Sequence, residues 1–418
     1  MNIRRSNYSS GAPLEEKYGY SRVVKVGPFI YVGGTTSVQP DGTVYGETSY
    51  EQMKYVLEKQ VKLVEEAGGS VGDIISVKSY VTLAYDAKEA GKAYSDIFKG
   101  TKPLNTMVTI ESLNRPTQLC EVEMMAVVGC STGATWEGIN LQRENFSSGS
   151  PLEDVVGYSR MVKVGPFVYV GGTTSVLPDG TVAGEGNSDA QDDFILKKEL
   201  DLLAKVGAKP EDVVKTKMYS TSEYKNCHKG GENVWGKYLK PVKPLCTGVT
   251  IAKLTRPTQL VETEMMAIIG CGGDEILPEW GNIDFRRQNI ASGAPAEESF
   301  GYSRIVKVGP FVYFGGTTTV QPDGTVLYEE DSKAQESYIY EKLMKLGEPL
   351  GVTDADVVKV KSYHTAAFKD YVKPAEGGYY AEHFKAVKPL NTVVTVSALS
   401  RPTQLLETEM MAVIGCGE

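Results

Sequence analysis

Three copies of one set of motifs constrain this chain more than any other feature in it. Gly-Tyr-Ser-Arg occurs at residues 19–22, 157–160 and 301–304. Gly-Gly-Thr-Thr begins at Gly33, Gly171 and Gly315, thirteen residues beyond Tyr20, Tyr158 and Tyr302. Lys-Pro-Leu places prolines at Pro103, Pro244 and Pro389, and Arg-Pro-Thr-Gln-Leu starts twelve residues later at Arg115, Arg256 and Arg401. Glu-x-Glu-Met-Met-Ala closes each copy from Glu121, Glu262 and Glu407. A period of this length marks a repeated structural unit. The expected domains are 1–132, 133–273 and 274–418, with short polar, glycine-containing joints around Trp136 and 278–280. At 418 residues the chain is too long for one ordinary core, and three small ones suit it.

Within one copy, 20–26 and 29–32 are rich in Val, Ile and Tyr and read as strands. Pro40-Asp41-Gly42 reads as a turn, with Pro presetting φ and Gly accepting a positive one. Thr48…Glu51 has capping-box spacing, and Ser188…Gln191 and Ser332…Gln335 look like its equivalents. Met53, Val56, Leu57, Val61 and Val64 then follow at helical spacing. A third strand over 74–82, a second helix over 86–98 and two strands over 107–110 and 119–128 complete the copy. The last two strands are expected to form a hairpin around Arg-Pro-Thr-Gln. The order is ββαβαββ, an α+β domain with helices on one face of a sheet. Three such sheets facing one another would make a pseudo-trimer with a β-barrel-like core and three clefts between copies.

The net charge of −9 argues against a dedicated nucleic-acid binder. Apolar runs such as 124–128 fall far short of a membrane span, and the N-terminus lacks the apolar stretch of a signal peptide. Six scattered cysteines form no disulfide framework, so a cytoplasmic protein with free thiols is expected. The three histidines, His228, His364 and His383, occupy different places in the copies and cannot build three equivalent metal or triad sites. No phosphate-binding loop is present.

The Tyr-containing first strand, the strand ending in Gly-Gly, the Pro-Asp-Gly turn and the closing Glu-x-Glu strand resemble the Rid/YjgF family, nearly the whole chain three times over. The opening Asn-Tyr-Ser-Ser-Gly-Ala-Pro (7–13) is similar to one branch of it. The resemblance implies a chorismate-mutase-like fold, clefts between subunits of a trimer, and hydrolysis of enamines or imines such as 2-aminoacrylate to 2-keto acids and ammonia. It implies no metal or organic cofactor, and here a fused monomer. It makes Tyr20, Tyr158 and Tyr302 cleft tyrosines, and Glu121, Glu262 and Glu407 the glutamates that position water or the departing ammonia. Two departures stand out. Gly33, Gly171 and Gly315 occupy the place of a frequent serine. Asn105, Cys246 and Asn391 occupy the place of the arginine that grips the substrate carboxylate.

Imine hydrolysis needs a carboxylate anchor, a positioned water and a group that moves a proton. Asn supplies no charge, so a replacement cation is sought. Arg22, Arg160 and Arg304 lie two residues beyond the tyrosines, on the same face of an extended chain, and are candidate anchors; pairing with Glu121 or Glu123 is the structural alternative. Lys78, Lys217 and Lys361 recur beside Tyr80, Tyr219 and Tyr363, as Schiff-base candidates or, more plainly, salt-bridged lysines. Arg115, Arg256 and Arg401 read first as turn residues. The like charges of Glu121 and Glu123 would raise one pKa unless basic neighbours satisfy both. Cys246 is either a reactive thiol or a small neutral residue. Extra residues at 226–232 and 371–378 make the cleft rims unequal. Two functions remain: a cofactor-free hydrolase, or a non-catalytic binder of a small metabolite. Ribonuclease activity suits the acidic charge poorly.

Overall fold

A computed structural model of the protein describes residues 3–229, 233–372 and 379–417. The first repeat contains β1 (Arg5–Tyr8), α1 (Pro13–Tyr18), β2 (Val23–Val26), β3 (Phe29–Thr35), α2 (Ser49–Glu66), β4 (Ile74–Val81), α3 (Ala87–Phe98), β5 (Leu104–Thr109) and β6 (Cys120–Val127). Its six strands lie in the order β1-β2-β3-β6-β4-β5, and the other two repeats build sheets of the same order. The expected ββαβαββ order therefore gains a strand and a short helix in front. Both are too short and polar to carry a hydrophobic period.

The expected closing hairpin does not form. β5 pairs in parallel with β4, whereas β6 inserts between β3 and β4, antiparallel to both. Arg115 to Gln118 is thus a crossover loop. It is fixed by Gln118, whose Oε1 accepts the Arg115 N–H at 2.7 Å, and by Gln52, which bonds Thr117 O and Leu119 N. The capping box also holds only in the first repeat, at Thr48 and Glu51. In the other two the caps are Asn187 and Asp331, one residue before the expected serines, and Ser188 and Ser332 are buried inside the first turn.

Apolar residues on one face of α2 (Met53, Val56, Leu57, Val64) pack on the outer face of their sheet with Val23, Ile30 and Val122. The inner faces of all three sheets share one cluster. Phe29, Phe167 and Phe311 meet edge to face at 5.1–5.7 Å, capped by Trp136 and Trp280. The polar joints thus each deliver a tryptophan to the common core. The sheets stay separate and are bridged at single pairs such as Thr109↔Lys253, Ser112↔Thr395 and Thr250↔Ala398. The core is three-sided and barrel-like without being a closed barrel.

The second helix has twelve residues in the first repeat but six in the others (Val234–Leu239 and Tyr379–Phe384). Of the extra residues expected at the cleft rims, 230–232 and 373–378 lie outside the described residues. No helix among the described residues is long and apolar enough to cross a membrane.

Candidate functional site

Each cleft forms where the Gly-Gly end of one repeat meets the β5-type strand of another. The first repeat faces the third, the second faces the first and the third faces the second: Gly34, Gly172 and Gly316 donate their N–H to Thr392, Thr106 and Thr247 Oγ1 at 2.8–2.9 Å. The register shift between Val32 and Thr35 explains why. The two glycines form a bulge opposite Glu123, which turns the backbone toward the neighbouring repeat. A Cβ built on Gly34 would collide with Glu121 Oε1 and come within 2.6 Å of Thr392 Cγ2. One on Gly33 meets Leu390 at 3.4 Å and the Arg22 carbonyl at 3.7 Å, both ordinary contacts. The glycine that shapes the cleft is therefore Gly34, with Gly172 and Gly316, one residue beyond the expected position.

The cleft between the first and third repeats has a volume of about 410 Å³ and is lined by Tyr20, Arg22, Lys59, Arg115, Glu121 and Asn391, among others. Glu121 stands on β6, 7 % exposed, and accepts no hydrogen bond from the described residues. Burial raises its carboxyl to about 7, against the attraction of Lys361. Burial likewise raises Glu407 to about 7, against Lys217, and Glu262 to about 8, against Arg160. The second glutamate of each pair is withdrawn from the clefts. Glu123 accepts from Thr392 at 3.0 Å and Tyr80 at 3.1 Å and faces the molecular axis.

Arg22 lies beside Tyr20, with Nη2 3.3 Å from the phenol oxygen. Its other groups are engaged. Nε donates to Glu15 Oε1 at 3.0 Å, and Nη1 donates to the Gly34 carbonyl. Glu15, 3 % exposed, also accepts from Ser9 and from Ser10, and Arg160 and Arg304 repeat the arrangement with Glu153 and Glu297. Burial alone would raise the Glu15 carboxyl; the Arg22 charge and the serine hydroxyls outweigh it and hold it low. Arg22 thus pairs with neither Glu121 nor Glu123, and it braces the cleft wall. Tyr20, Tyr158 and Tyr302 are raised above the ordinary phenol range by burial, so they stay protonated donors at neutral pH.

Two further cations enter the cleft: Lys59, which the sequence does not single out, and Arg115, which reads there as a turn residue. Lys59 lies in the cleft near Arg22 and Glu15 and has no ion-pair partner among the described residues. Lys198 and Lys342 occupy its place in the other copies, each seven residues after the buried Gln52, Gln191 or Gln335. Burial lowers all three lysines, Lys198 to about 8. The guanidinium of Arg115 reaches over the Pro40-Asp41-Gly42 turn into the same cleft. Glu15 could have been found from Ser-Gly-x-Pro-x-Glu, and Thr392 from Leu-x-Thr, since both recur in all three copies.

Asn391 lines the cleft, with an Oδ1 that no described group bonds. Asn105 and Cys246 hold the same β5-type position, directly before Thr106 and Thr247. Burial lifts the Cys246 thiol to about 11, so it is no thiolate at neutral pH. The histidines stay apart: His228 pairs with Asp189, His383 with Asp354, and His364 stacks on Phe368. Among the described residues no group of three or more His, Cys, Asp or Glu is placed to hold a metal ion.

The family model described as Endoribonuclease L-PSP matches three times, at 12–128, 149–269 and 293–414. An uncharacterized protein of Streptomyces coelicolor is 30% identical over 121 residues, 29% of this chain and 90% of that protein. A RutC family protein of Pyrococcus abyssi is 33% identical over 108 residues, 26% of this chain and 84% of that protein. The crystal structure of a YjgF/YER057c/UK114 family member from Mycobacterium tuberculosis aligns at 31% identity, covering 30% of this chain and 99% of its own, with a TM-score of 0.27 against the whole. Each relative is one-third of what this polypeptide contains, and the chain belongs to the Rid/YjgF (Endoribonuclease L-PSP) family, with three family domains in tandem.

Proposed function

We propose that the three clefts hydrolyse a small carboxylated enamine or imine to a 2-keto acid and ammonia, without a cofactor. One observation carries this reading: in each cleft a glutamate 7 % exposed packs against the Gly34-type backbone and accepts no hydrogen bond from the described residues, and its burial raises the carboxyl toward the range in which it both takes and returns a proton. The Lys59-type ammonium, with the Arg115-type guanidinium at the rim, supplies the charge that Asn105, Cys246 and Asn391 lack. Arg22, Arg160 and Arg304 hold the cleft wall and the tyrosine.

Glu121, as carboxylate, takes a proton from water while the oxygen adds to the iminium carbon and the C=N π pair moves to nitrogen. The carboxyl then returns that proton to nitrogen. The C–N bond breaks with its electron pair on ammonia, the carbonyl forms, and the hydroxyl proton leaves with ammonia as ammonium. Tyr20 donates to the adding oxygen.

The test is ammonia release from enzymatically generated 2-aminoacrylate and 2-iminobutyrate, comparing wild type with Glu121→Gln/Glu262→Gln/Glu407→Gln. The variant is expected to lose the acceleration. A wild-type rate equal to the uncatalysed one would remove this reaction and leave a metabolite-binding cleft in its place.

A further inference from the structure

Besides the lateral clefts, the structure contains a chamber of about 210 Å³ on the pseudo-threefold axis. It lies between two apolar clusters, one holding Tyr31, Tyr313 and the phenylalanines, the other holding Tyr80, Tyr219, Tyr363 and aliphatic residues around them. Its polar wall is a closed ring of ion pairs between repeats. Lys78 of the first meets Glu264 of the second at 2.5 Å, Lys217 of the second meets Glu409 of the third at 3.1 Å, and Lys361 of the third meets Glu123 of the first at 3.3 Å. These pairs alone would be neutral.

Two more lysines break the balance. Lys215 and Lys359 line the chamber where the first repeat has Ser76, and they pair with the already shared Glu409 (3.2 Å) and Glu123 (2.7 Å). Among the residues lining the chamber, five ammonium groups face three carboxylates, a surplus of two positive charges; Lys217 and Lys361 are buried, whereas Lys215 and Lys359 keep 32 % and 28 % of their side chains exposed. Lys361 is 4 % exposed and its Nζ makes no hydrogen bond of proper geometry, lying 3.7 Å from the centroid of the Tyr80 ring. Burial, with Lys215 and Lys359 opposing the carboxylates, lowers Lys217 and Lys361 to about 8, so the resident glutamates do not fully compensate the lysines. An uncompensated buried charge is costly, and a bound anion removes that cost.

We infer that the axial chamber binds one small doubly charged oxyanion per chain, a phosphate or a short dicarboxylate, between Lys215, Lys217, Lys359 and Lys361. The ammonium groups reach it as charge-assisted donors, and the tyrosine hydroxyls above them already serve the glutamates. The site is separate in space from the lateral clefts, although Lys217 and Lys361 also attract the cleft glutamates Glu407 and Glu121.

The experiment is equilibrium dialysis of the intact chain with radiolabelled inorganic phosphate, and in parallel with succinate, at fixed ionic strength. One phosphate or one succinate per chain is expected, and the tighter arm identifies the class. Lys215→Ser/Lys359→Ser copies the first repeat and neutralises the chamber; it should weaken binding by at least about 100-fold, two charge-assisted hydrogen bonds being lost. Ser76→Lys adds a sixth cation and should tighten it. Three anions per chain, or binding that Lys215→Ser/Lys359→Ser leaves unchanged while Lys59→Met/Lys198→Met/Lys342→Met removes it, would place the anion in the lateral clefts and overturn the inference. Failure of both anions to bind would overturn it as well.

Discussion

The three catalytic candidates differ in a way that a pH profile resolves. Glu121 and Glu407 sit near 7, and the attraction opposing their burial comes first from Lys361 and Lys217. Those lysines share their axial glutamate with Lys359 or Lys215, so their charge extends toward the cleft. Burial raises Glu262 to about 8 against Arg160 first and Lys78 after it, and Ser76 stands where the other copies have a second axial lysine. With the carboxylate as base, kcat/KM rises with pH through these values and falls about tenfold per unit below them. For wild type, about one-tenth of the limiting rate is expected at pH 6. Glu121→Gln/Glu407→Gln leaves Glu262 alone and should move the rising midpoint up toward 8, where loss of charge from Lys198, itself near 8, narrows the profile to a bell. Glu262→Gln should leave it near 7, and Ser76→Lys should draw the Glu262 midpoint down. The assay is initial-rate ammonia release between pH 5 and 9 with a buffer of constant ionic strength. A profile flat over that range, or a midpoint unmoved by Glu121→Gln/Glu407→Gln, would refute the assignment of these glutamates as the titrating base.

Gly34→Ala/Gly172→Ala/Gly316→Ala should lower kcat/KM by roughly 100-fold, because each new methyl displaces a glutamate carboxylate, while Gly33→Ala, with a 3.4 Å neighbour, should change it little. Lys59→Met/Lys198→Met/Lys342→Met should raise KM for a carboxylated substrate about tenfold or more with little change in Tm, since these lysines lack an ion-pair partner to lose among the described residues. Arg22→Ala leaves Glu15 buried without its cation and should cost about 3–5 kcal/mol in urea unfolding. Because the folded Glu15 pKa is depressed, the contribution of that pair is full above the ordinary carboxylate value and is lost as pH falls through the folded one. The difference between wild type and Arg22→Ala should therefore shrink in acid.

How legible these features were depends on the range of the forces that make them. The repeats, the paired inner strands and the helix over Ser49–Glu66 follow from local pattern, and so does the Glu121-type strand, whose motif recurs unchanged. The placement of β6 between β3 and β4 is a long-range pairing, invisible to a reading that joins neighbouring strands by a hairpin. Choosing Gly34 over Gly33 required the register of the bulge, which alternation along a strand does not reveal. Lys59 looks from the sequence like any solvated position on the polar face of α2; only the packing of that helix beside Glu15 and Arg22 puts it in a cleft. Arg22 was visible as a repeated cation, but its partner lay seven residues upstream in a helix too short to announce itself.

Fusion of three domains removes a constraint that symmetry imposes on a homotrimer. In an assembly of identical chains, a lysine at the position of Ser76 would appear three times or not at all. Here it appears twice, as Lys215 and Lys359, and the effect propagates along a chain of contacts. The second lysine shares the axial glutamate, and the first stands farther from it, at 3.1 and 3.3 Å for Lys217 and Lys361 against 2.5 Å for Lys78. Burial raises Glu121 and Glu407 there to about 7, and Glu262, where the serine stands, to about 8. The substitution changes the charge of the axial chamber, and the lysines paired there with the added ones are those whose attraction reaches Glu121 and Glu407. The single-chain arrangement lets one cleft keep a different proton affinity from the other two without disturbing the Phe29, Phe167 and Phe311 core that holds all three together.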